Sequence, residues 1–228
     1  MRALALAAAL AAISGGFALS GTALAQTAPT WTDPAGRVSF TPERGWPVDT
    51  MSDSSPQSLH VVAGNANVEC HVYAAANDAT AGRPAAAVKR AYEQAFTAET
   101  WAQLVSRMRL FEDGVAVQSV SVDTARTWPV QRAVIASGSR TIHSALQGRP
   151  GLEVRTFCLT YNGSDASAAF DRFIASVATP QDAALQAQID ADAAQSAAAQ
   201  AQQQAAQAQQ EAAQAQQQQE QERRNRRR

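Results

Sequence analysis

The sequence predicts an α+β fold, an antiparallel sheet flanked by helices, with a low-complexity helix after it. Between residues 37 and 179, segments that alternate like strands outnumber those with helical spacing and follow the order β-β-β-α-β-β-β-β-α. Beyond Pro180 the composition changes to alanine and glutamine, and only Leu185 and Ile189 are large apolar residues. Hairpin-joined strands interrupted by helices are typical of an antiparallel α+β domain.

Three strands are expected at the start of this domain. Val38-Ser39-Phe40 alternates between turn-forming residues and predicts a short first strand. Residues 58–63 and 68–76 also alternate, and Gly64-Asn65 between them is a typical hairpin signal. We therefore expect these two strands to pair.

A helical region follows the hairpin. Pro84 is expected in the first turn of a helix, where its missing N–H costs nothing. A second helical stretch is expected to begin near Thr97. Its apolar face is formed by Trp101, Leu104, Val105 and Met108.

The second half of the domain is expected to be mostly strand. The expected strands cover residues 115–125, 128–137, 140–146 and 152–161. In the first of them the apolar phase slips between Val117 and Val120, which predicts a β-bulge.

The last strand and the helix after it predict cover on both sheet faces. Leu152, Val154, Thr156 and Cys158 share one face of the strand, and Phe157, Leu159 and Tyr161 lie on the other. Apolar residues on both faces imply a helix on each side. A closing helix, capped by Ser164 or Asp165, carries Phe170, Phe173, Ile174 and Val177 at helical spacing.

The first 25 residues predict export. Met1-Arg2 gives a positive start, an apolar run continues to Leu19, and Ala23-Leu24-Ala25 is a small-x-small cleavage site. We expect a signal peptide over 1–25, a flexible lead-in over 26–36, the globular domain over 37–179 and a helical or disordered tail over 180–228. The expected location is periplasmic or secreted.

The two cysteines are expected to form a disulfide. Cys70 and Cys158 both lie in apolar rows of predicted strands, and an oxidising compartment favours their pairing. Two buried free thiols are the alternative. A net charge of −1 gives no overall attraction to nucleic acid, which we do not expect as a partner.

One cluster has the composition of a metal site. Alternation along the hairpin places His60, Glu69 and His71 on the face opposite Cys70, and Tyr73 joins them. Two imidazoles and a carboxylate would hold Zn²⁺ with one position open. The alternative is a polar cross-strand cluster in which Glu69 pairs with a histidine. Apart from this cluster the sequence offers no catalytic motif, and His143 is isolated, so we expect no cofactor and no catalytic residue.

The tail carries a seven-residue alanine repeat and ends in arginines. Alanines recur at steps of three and four from Ala184 to Ala215, which predicts a helix with a weak coiled-coil seam. That helix is expected to pair antiparallel, self-associate or act as a lone spacer, and a mobile, partly helical tail is the alternative. The terminal cations would bind anionic lipid phosphates, lipopolysaccharide or wall polymers, or serve only as a solubilising end. They are Arg223, Arg224, Arg226, Arg227 and Arg228.

The segment Phe40-Thr41-Pro42-Glu43-Arg44-Gly45-Trp46, which follows the short first strand, resembles the entry of PsbP-like domains. The central helix, the long hairpin strands and the closing helix are similar to the rest of that pattern over about residues 37–178. The resemblance implies an α/β/α sandwich with an antiparallel sheet, and a binding or assembly role without chemistry of its own. It transfers no site residue. Another small α+β fold, such as a cystatin-like one, is the alternative.

These features together predict a non-catalytic, exported envelope binding or assembly module. Its expected partner is an envelope protein or an anionic envelope polymer, with peripheral membrane contact through the basic end. A metal-assisted hydrolase that uses His60, Glu69 and His71 is the first alternative. A small-ligand carrier, which needs a sizeable apolar cavity, is the second.

Overall fold

The computed structural model describes residues 29–106, 108–111, 114–161, 163 and 165–227. The expected signal peptide over 1–25 lies outside these residues. A seven-stranded antiparallel sheet forms the centre, in the order β3-β4-β5-β9-β8-β7-β6, and a separate two-stranded sheet pairs β1 with β2. The strands are β1 (Trp31–Thr32), β2 (Ser39–Phe40), β3 (Val48–Thr50), β4 (Ser58–Gly64), β5 (Val68–Ala76), β6 (Ala116–Asp123), β7 (Val130–Ser137), β8 (Arg140–Arg149) and β9 (Leu152–Thr160).

Helices cover both faces of the large sheet. They are α1 (Ala85–Ala91), α2 (Ala98–Val105), α3 (Ser167–Ser176) and α4 (Asp182–Arg226). Val154 and Cys158 of β9 belong to the core that packs against α3, whereas Phe157 belongs to the core beneath α1 and α2. Because neighbouring strand residues point to opposite faces, the helices lie on opposite sides. The α/β/α sandwich with an antiparallel sheet is confirmed.

The predicted disulfide is present at the centre of this sheet. Cys70 of β5 lies directly opposite Cys158 of β9, and both are fully buried on the α3 side. The bridge joins strands that are 88 residues apart in the chain. It therefore links the first half of the domain to the last strand.

Several local signals act as the sequence predicts. Thr97 is the N-cap of α2, where its side chain accepts a hydrogen bond from the backbone N–H of Thr100. The register of β6 against β7 shifts between Val117 and Ser119, which is the predicted bulge. The first turn of α3 differs in part: its N-cap is Ala166, although Asp165 still accepts a hydrogen bond from the Ser167 N–H, 3.0 Å. Ser164 lies outside the described residues.

Two short strands do not follow from local patterns. β1 lies within the predicted lead-in, where Trp31 stacks on Phe40 at 4.9 Å between ring centroids. Val48-Asp49-Thr50 of β3 lacks a recognisable alternation and pairs with β4 at one edge of the sheet. In both cases a tertiary contact, rather than local propensity, determines the conformation.

Helix α4 has 45 residues and begins against the domain. Leu185 and Ile189 pack against the core beneath α1 and α2, and Lys89 Nζ donates to Gln186 Oε1 at 2.8 Å. From Asp190 to Arg227 every residue is exposed. In the described part of the chain, no helix is both long enough and apolar enough to cross a membrane.

Candidate functional site

The two histidines of the hairpin are mostly buried and lie on the sheet face opposite the disulfide. His60 of β4 stands opposite Tyr73 of β5, and His71 stands opposite Val62. The rings of His60 and Tyr73 stack with their centroids 4.1 Å apart. Alternation thus brings His60, His71 and Glu69 to one face, as the sequence predicts.

Polar contacts join these side chains into a row. His60 Nδ1 contacts Asp53 Oδ1 at 2.9 Å, and His60 Nε2 contacts His71 Nδ1 at 3.1 Å. His71 Nε2 then lies 3.3 Å from Glu69 Oε2, and the Tyr161 hydroxyl donates to that same carboxylate oxygen at 2.6 Å. We call these five residues (Asp53, His60, His71, Glu69 and Tyr161) the histidine row.

Burial and charge perturb the titration of this region. Burial, reinforced by the neighbouring His60, lowers the pKa of His71, while Glu69 and Asp53 act in the opposite direction. Burial raises the pKa of Tyr73 to about 12, and the Asp53 carboxylate adds to this. Burial and the bond to Glu69 raise the pKa of Tyr161 to about 12. Both phenols are therefore neutral at physiological pH, and the neutral Tyr161 hydroxyl is the donor in its bond to Glu69.

The geometry differs from the expected three-ligand zinc site. The three side chains lie together, but Glu69 is next to Nε2 of His71, the nitrogen on the far side of the ring from His60. Among the described residues, no group of three or more histidine, cysteine, aspartate or glutamate side chains has the geometry to hold a metal ion. The alternation of residues 152–161 also predicts Tyr161 on this face. Asp53, which no sequence pattern indicated, reaches His60 from the loop before β4.

A pocket of about 570 Å³ lies on the α3 side of the sheet. His143, Arg140 and Ser167 are among its lining residues, and Ser167 Oγ lies 3.5 Å from His143 Nε2. Burial lowers the pKa of His143, while the nearby carboxylates of Asp171 and Asp165 oppose this shift. His143 is thus not solitary, although its contacts are those of a half-buried structural residue. The small-ligand carrier stays a prediction.

The base of α4 is fixed by a buried ion pair. Arg149, whose side chain is 2% exposed, donates through Nε to Asp182 Oδ1 at 2.5 Å and through Nη2 to Oδ2 at 2.9 Å. Its guanidinium also lies over the ring of Trp128, 4.8 Å from the centroid. Thr179 Oγ1 donates to Asp182 Oδ1 at 2.6 Å. The first turn of α4 is therefore attached to the sheet through β8.

The far end of α4 carries the predicted cations. Arg223, Arg224, Arg226 and Arg227 are exposed, and the first three lie in the last turn of the helix. Arg228 lies outside the described residues. Positive charge at this position also complements the negative end of the helix dipole.

The α/β/α arrangement of the described residues is the one that a resemblance to PsbP-like domains implies. The chain is similar to the solution structure of cyanobacterial PsbP (CyanoP) from Synechocystis sp. PCC 6803, with 13% identity and a TM-score of 0.44 over 72% of this chain and 99% of that chain. It is also similar to a crystal structure from Bacteroides thetaiotaomicron VPI-5482, with 11% identity and a TM-score of 0.41 over 67% of this chain and 48% of that chain. The weak resemblance to PsbP-like domains is confirmed. No protein-family model and no curated protein matches the chain.

Proposed function

We propose that this protein is a non-catalytic binding module of the cell envelope, in which α4 carries a basic end to an anionic surface. The observation that carries the proposal is the exposed helix with arginines in its last turn and a fixed base on the domain. The sheet domain would bind an envelope protein or polymer. The buried disulfide supports export, since disulfides persist in oxidising compartments.

The length and attachment of α4 suit a spacer. The exposed part of the helix, residues 190–226, extends about 55 Å at 1.5 Å per residue. The ion pair between Arg149 and Asp182 fixes its direction at the base. A helix of this length would place the cations beyond the Debye length of about 8 Å from the domain's own charges. The arginines would then meet a surface as an independent positive group.

Electrostatics gives the expected size of the effect. A Lys or Arg near an anionic membrane surface contributes about 1 kcal/mol. Removing three arginines should therefore weaken binding by about 3 kcal/mol, or roughly 100-fold at low salt. Glu220 and Glu222 lie beside the arginines and reduce their net charge, so the contribution is expected to decline steeply with salt.

The test measures binding of the full mature chain to phosphatidylglycerol vesicles, with phosphatidylcholine vesicles as the neutral surface. The variant R224Q/R226Q/R227Q should lose binding roughly 100-fold at low salt. The matched control is R44Q/R83Q/R90Q, which removes the same charge from exposed positions of the domain. We expect the control to retain most of its affinity. Equal losses in both variants would show that net charge, rather than the end of α4, determines binding, and would refute the proposal.

Self-association along the alanine seam stays a prediction. The alanines of α4 are exposed in the single chain, so a second copy could cover them. Alanine side chains bury little area, and the resulting contact would be weak at about 25 cal/mol per Å².

A further inference from the structure

A second pocket lies at the base of α4, and we call it the Arg126 pocket. Its volume is about 530 Å³, within the range of about 300–1,000 Å³ that is typical of small-molecule sites. It lies between the loop that joins β6 to β7 and the segment that joins α3 to α4, beside the end of β8. Its lining includes two cations, Arg126 and Arg149, and one anion, Asp182. One positive charge of this lining is therefore left without a balancing charge.

The unbalanced charge belongs to Arg126. Arg149 is already paired, because its guanidinium donates to both carboxylate oxygens of Asp182 and to Gln147 Oε1. The side chain of Arg126 has one hydrogen bond to the described residues, from Nη1 to the backbone carbonyl oxygen of Ile174 at 3.3 Å. Among the residues that the structure describes, no carboxylate forms an ion pair with Arg126.

Arg126 differs in this respect from four other buried or half-buried arginines. Each of those four forms an ion pair with a carboxylate; they are Arg37, Arg132, Arg149 and Arg155. Taking a charge out of water costs free energy unless a counter-charge lies close to it. Burial lowers the pKa of Arg126, while Asp123 and Asp182 act in the opposite direction without forming an ion pair. In the described part of the chain, Arg126 is thus a half-buried cation without a bound counter-charge.

We propose that the Arg126 pocket binds a small carboxylate with an apolar body, whose charged end pairs with the Arg126 guanidinium. A guanidinium donates two parallel hydrogen bonds to a carboxylate. Nη1 of Arg126 already donates to Ile174, so Nε and Nη2 remain to bind the two carboxylate oxygens. These charge-assisted bonds would replace the water that the half-buried side chain has lost.

The charge and the apolar part of the lining determine the class of ligand. One carboxylate balances the single positive charge, whereas a phosphate monoester, with a charge of about −1.5 to −2, would leave negative charge uncompensated. The apolar body of the ligand would contact the apolar lining residues, which are Trp128, Ala178, Pro180 and Ala183.

Capping of α3 does not by itself balance the charge of Arg126. The Ile174 carbonyl lies in the last turn of α3, where the helix dipole is equivalent to about half a negative charge. About half of the guanidinium charge therefore stays uncompensated. The pocket is separate from the basic end of α4, so carboxylate binding and the proposed surface binding are tested independently.

The experiment titrates benzoate into the full mature chain with its disulfide intact and follows binding by calorimetry. We expect one equivalent of benzoate to bind with a Kd of about 1 mM or lower. Benzamide, which has a similar shape without the charge, should bind at least about 10-fold more weakly. R126M keeps an apolar stem and should lower the benzoate affinity by at least about 10-fold. The matched control is R83M, which removes an exposed arginine outside the pocket and should bind benzoate like the wild type.

A second pair of variants leaves Arg126 in place. Thr127 lines the pocket and is exposed, so its substitution should not disturb folding, which a thermal melt checks. T127E adds a carboxylate next to Arg126 and should weaken benzoate binding at least about 10-fold, whereas the neutral T127Q should stay within about threefold of the wild type. The proposal is overturned if the wild type binds no benzoate at about 10 mM, if benzamide binds as tightly, if R126M keeps the wild-type affinity, or if T127E binds like T127Q.

Discussion

Replacing Asp182 by asparagine should destabilise the domain strongly. The substitution keeps the shape of the side chain but removes the charge that faces Arg149, whose guanidinium is almost completely buried. Breaking a buried ion pair from one side costs about 3–5 kcal/mol, because the remaining charge is left without compensation. Loss of the bond from Thr179 is included in this range. At about 2–4 °C per kcal/mol for a domain of this size, the melting temperature should fall by roughly 6–20 °C.

The pH dependence of stability provides a second signature of the same pair. Burial alone would raise the pKa of Asp182, but the hydrogen bonds and charge of Arg149, with Thr179, outweigh it and lower the pKa below the ordinary value of 3.8. A carboxyl with a depressed pKa in the folded state contributes its stability above the unfolded pKa and loses it as the pH falls through the folded pKa. The difference in the free energy of unfolding between wild type and D182N should therefore have its largest value at pH 7 and decrease below about pH 4.

Urea denaturation followed by circular dichroism measures this change. The control is D171N, which breaks the exposed pair with Arg132 and should cost at most about 1 kcal/mol. In a double-mutant cycle, R149M/D182N should be more stable than the sum of the single losses predicts, because no buried charge is left alone. A D182N protein within about 0.5 kcal/mol of the wild type would refute the reasoning.

Two further predictions concern the sheet. Replacing Cys70 and Cys158 together by alanine should lower the free energy of unfolding by about 4–5 kcal/mol in the chain-entropy model, because the bridge spans 88 residues. Denaturation with and without reductant measures this loss. An equal response of variant and wild type to reductant would contradict the prediction. Gly148→Ala should lower the free energy of unfolding by about 1–3 kcal/mol, since the added Cβ would overlap the ring of Tyr92. Thermal melts measure this loss, which should be smaller in a Tyr92→Ala background. An equal loss in both backgrounds would count against the overlap.

The fold follows from the sequence where apolar periodicity and turn chemistry are local. Gly64 ends the first hairpin strand, Thr97 caps α2 and the slip after Val117 is a bulge, and each of these signals lies within a few residues of the feature it specifies. β1 and β3 follow from no such signal. Trp31 is held by stacking on Phe40, a contact that residue spacing alone does not reveal.

The candidate site follows from the sequence only in part. Strand alternation is enough to place His60, Glu69 and His71 on one face. Alternation gives no side-chain rotamer, so it could not show that Glu69 approaches the outer nitrogen of His71. Asp53 and Tyr161 reach the histidines from outside the hairpin and depend on how the loop and β9 pack. The pairing of Arg149 with Asp182 likewise requires the position of α4 against the sheet.

The edge strands of the large sheet affect whether molecules aggregate at high local concentration. One edge strand is β3, which has only three residues, and the other is β6, which contains a β-bulge after Val117. A long, straight edge strand has unpaired N–H and C=O groups that can pair with the edge strand of another molecule. Short or bulged edge strands disfavour such pairing. Molecules bound at high density to an anionic wall polymer or bilayer would therefore lack the long, straight edge strands that favour intermolecular sheet formation.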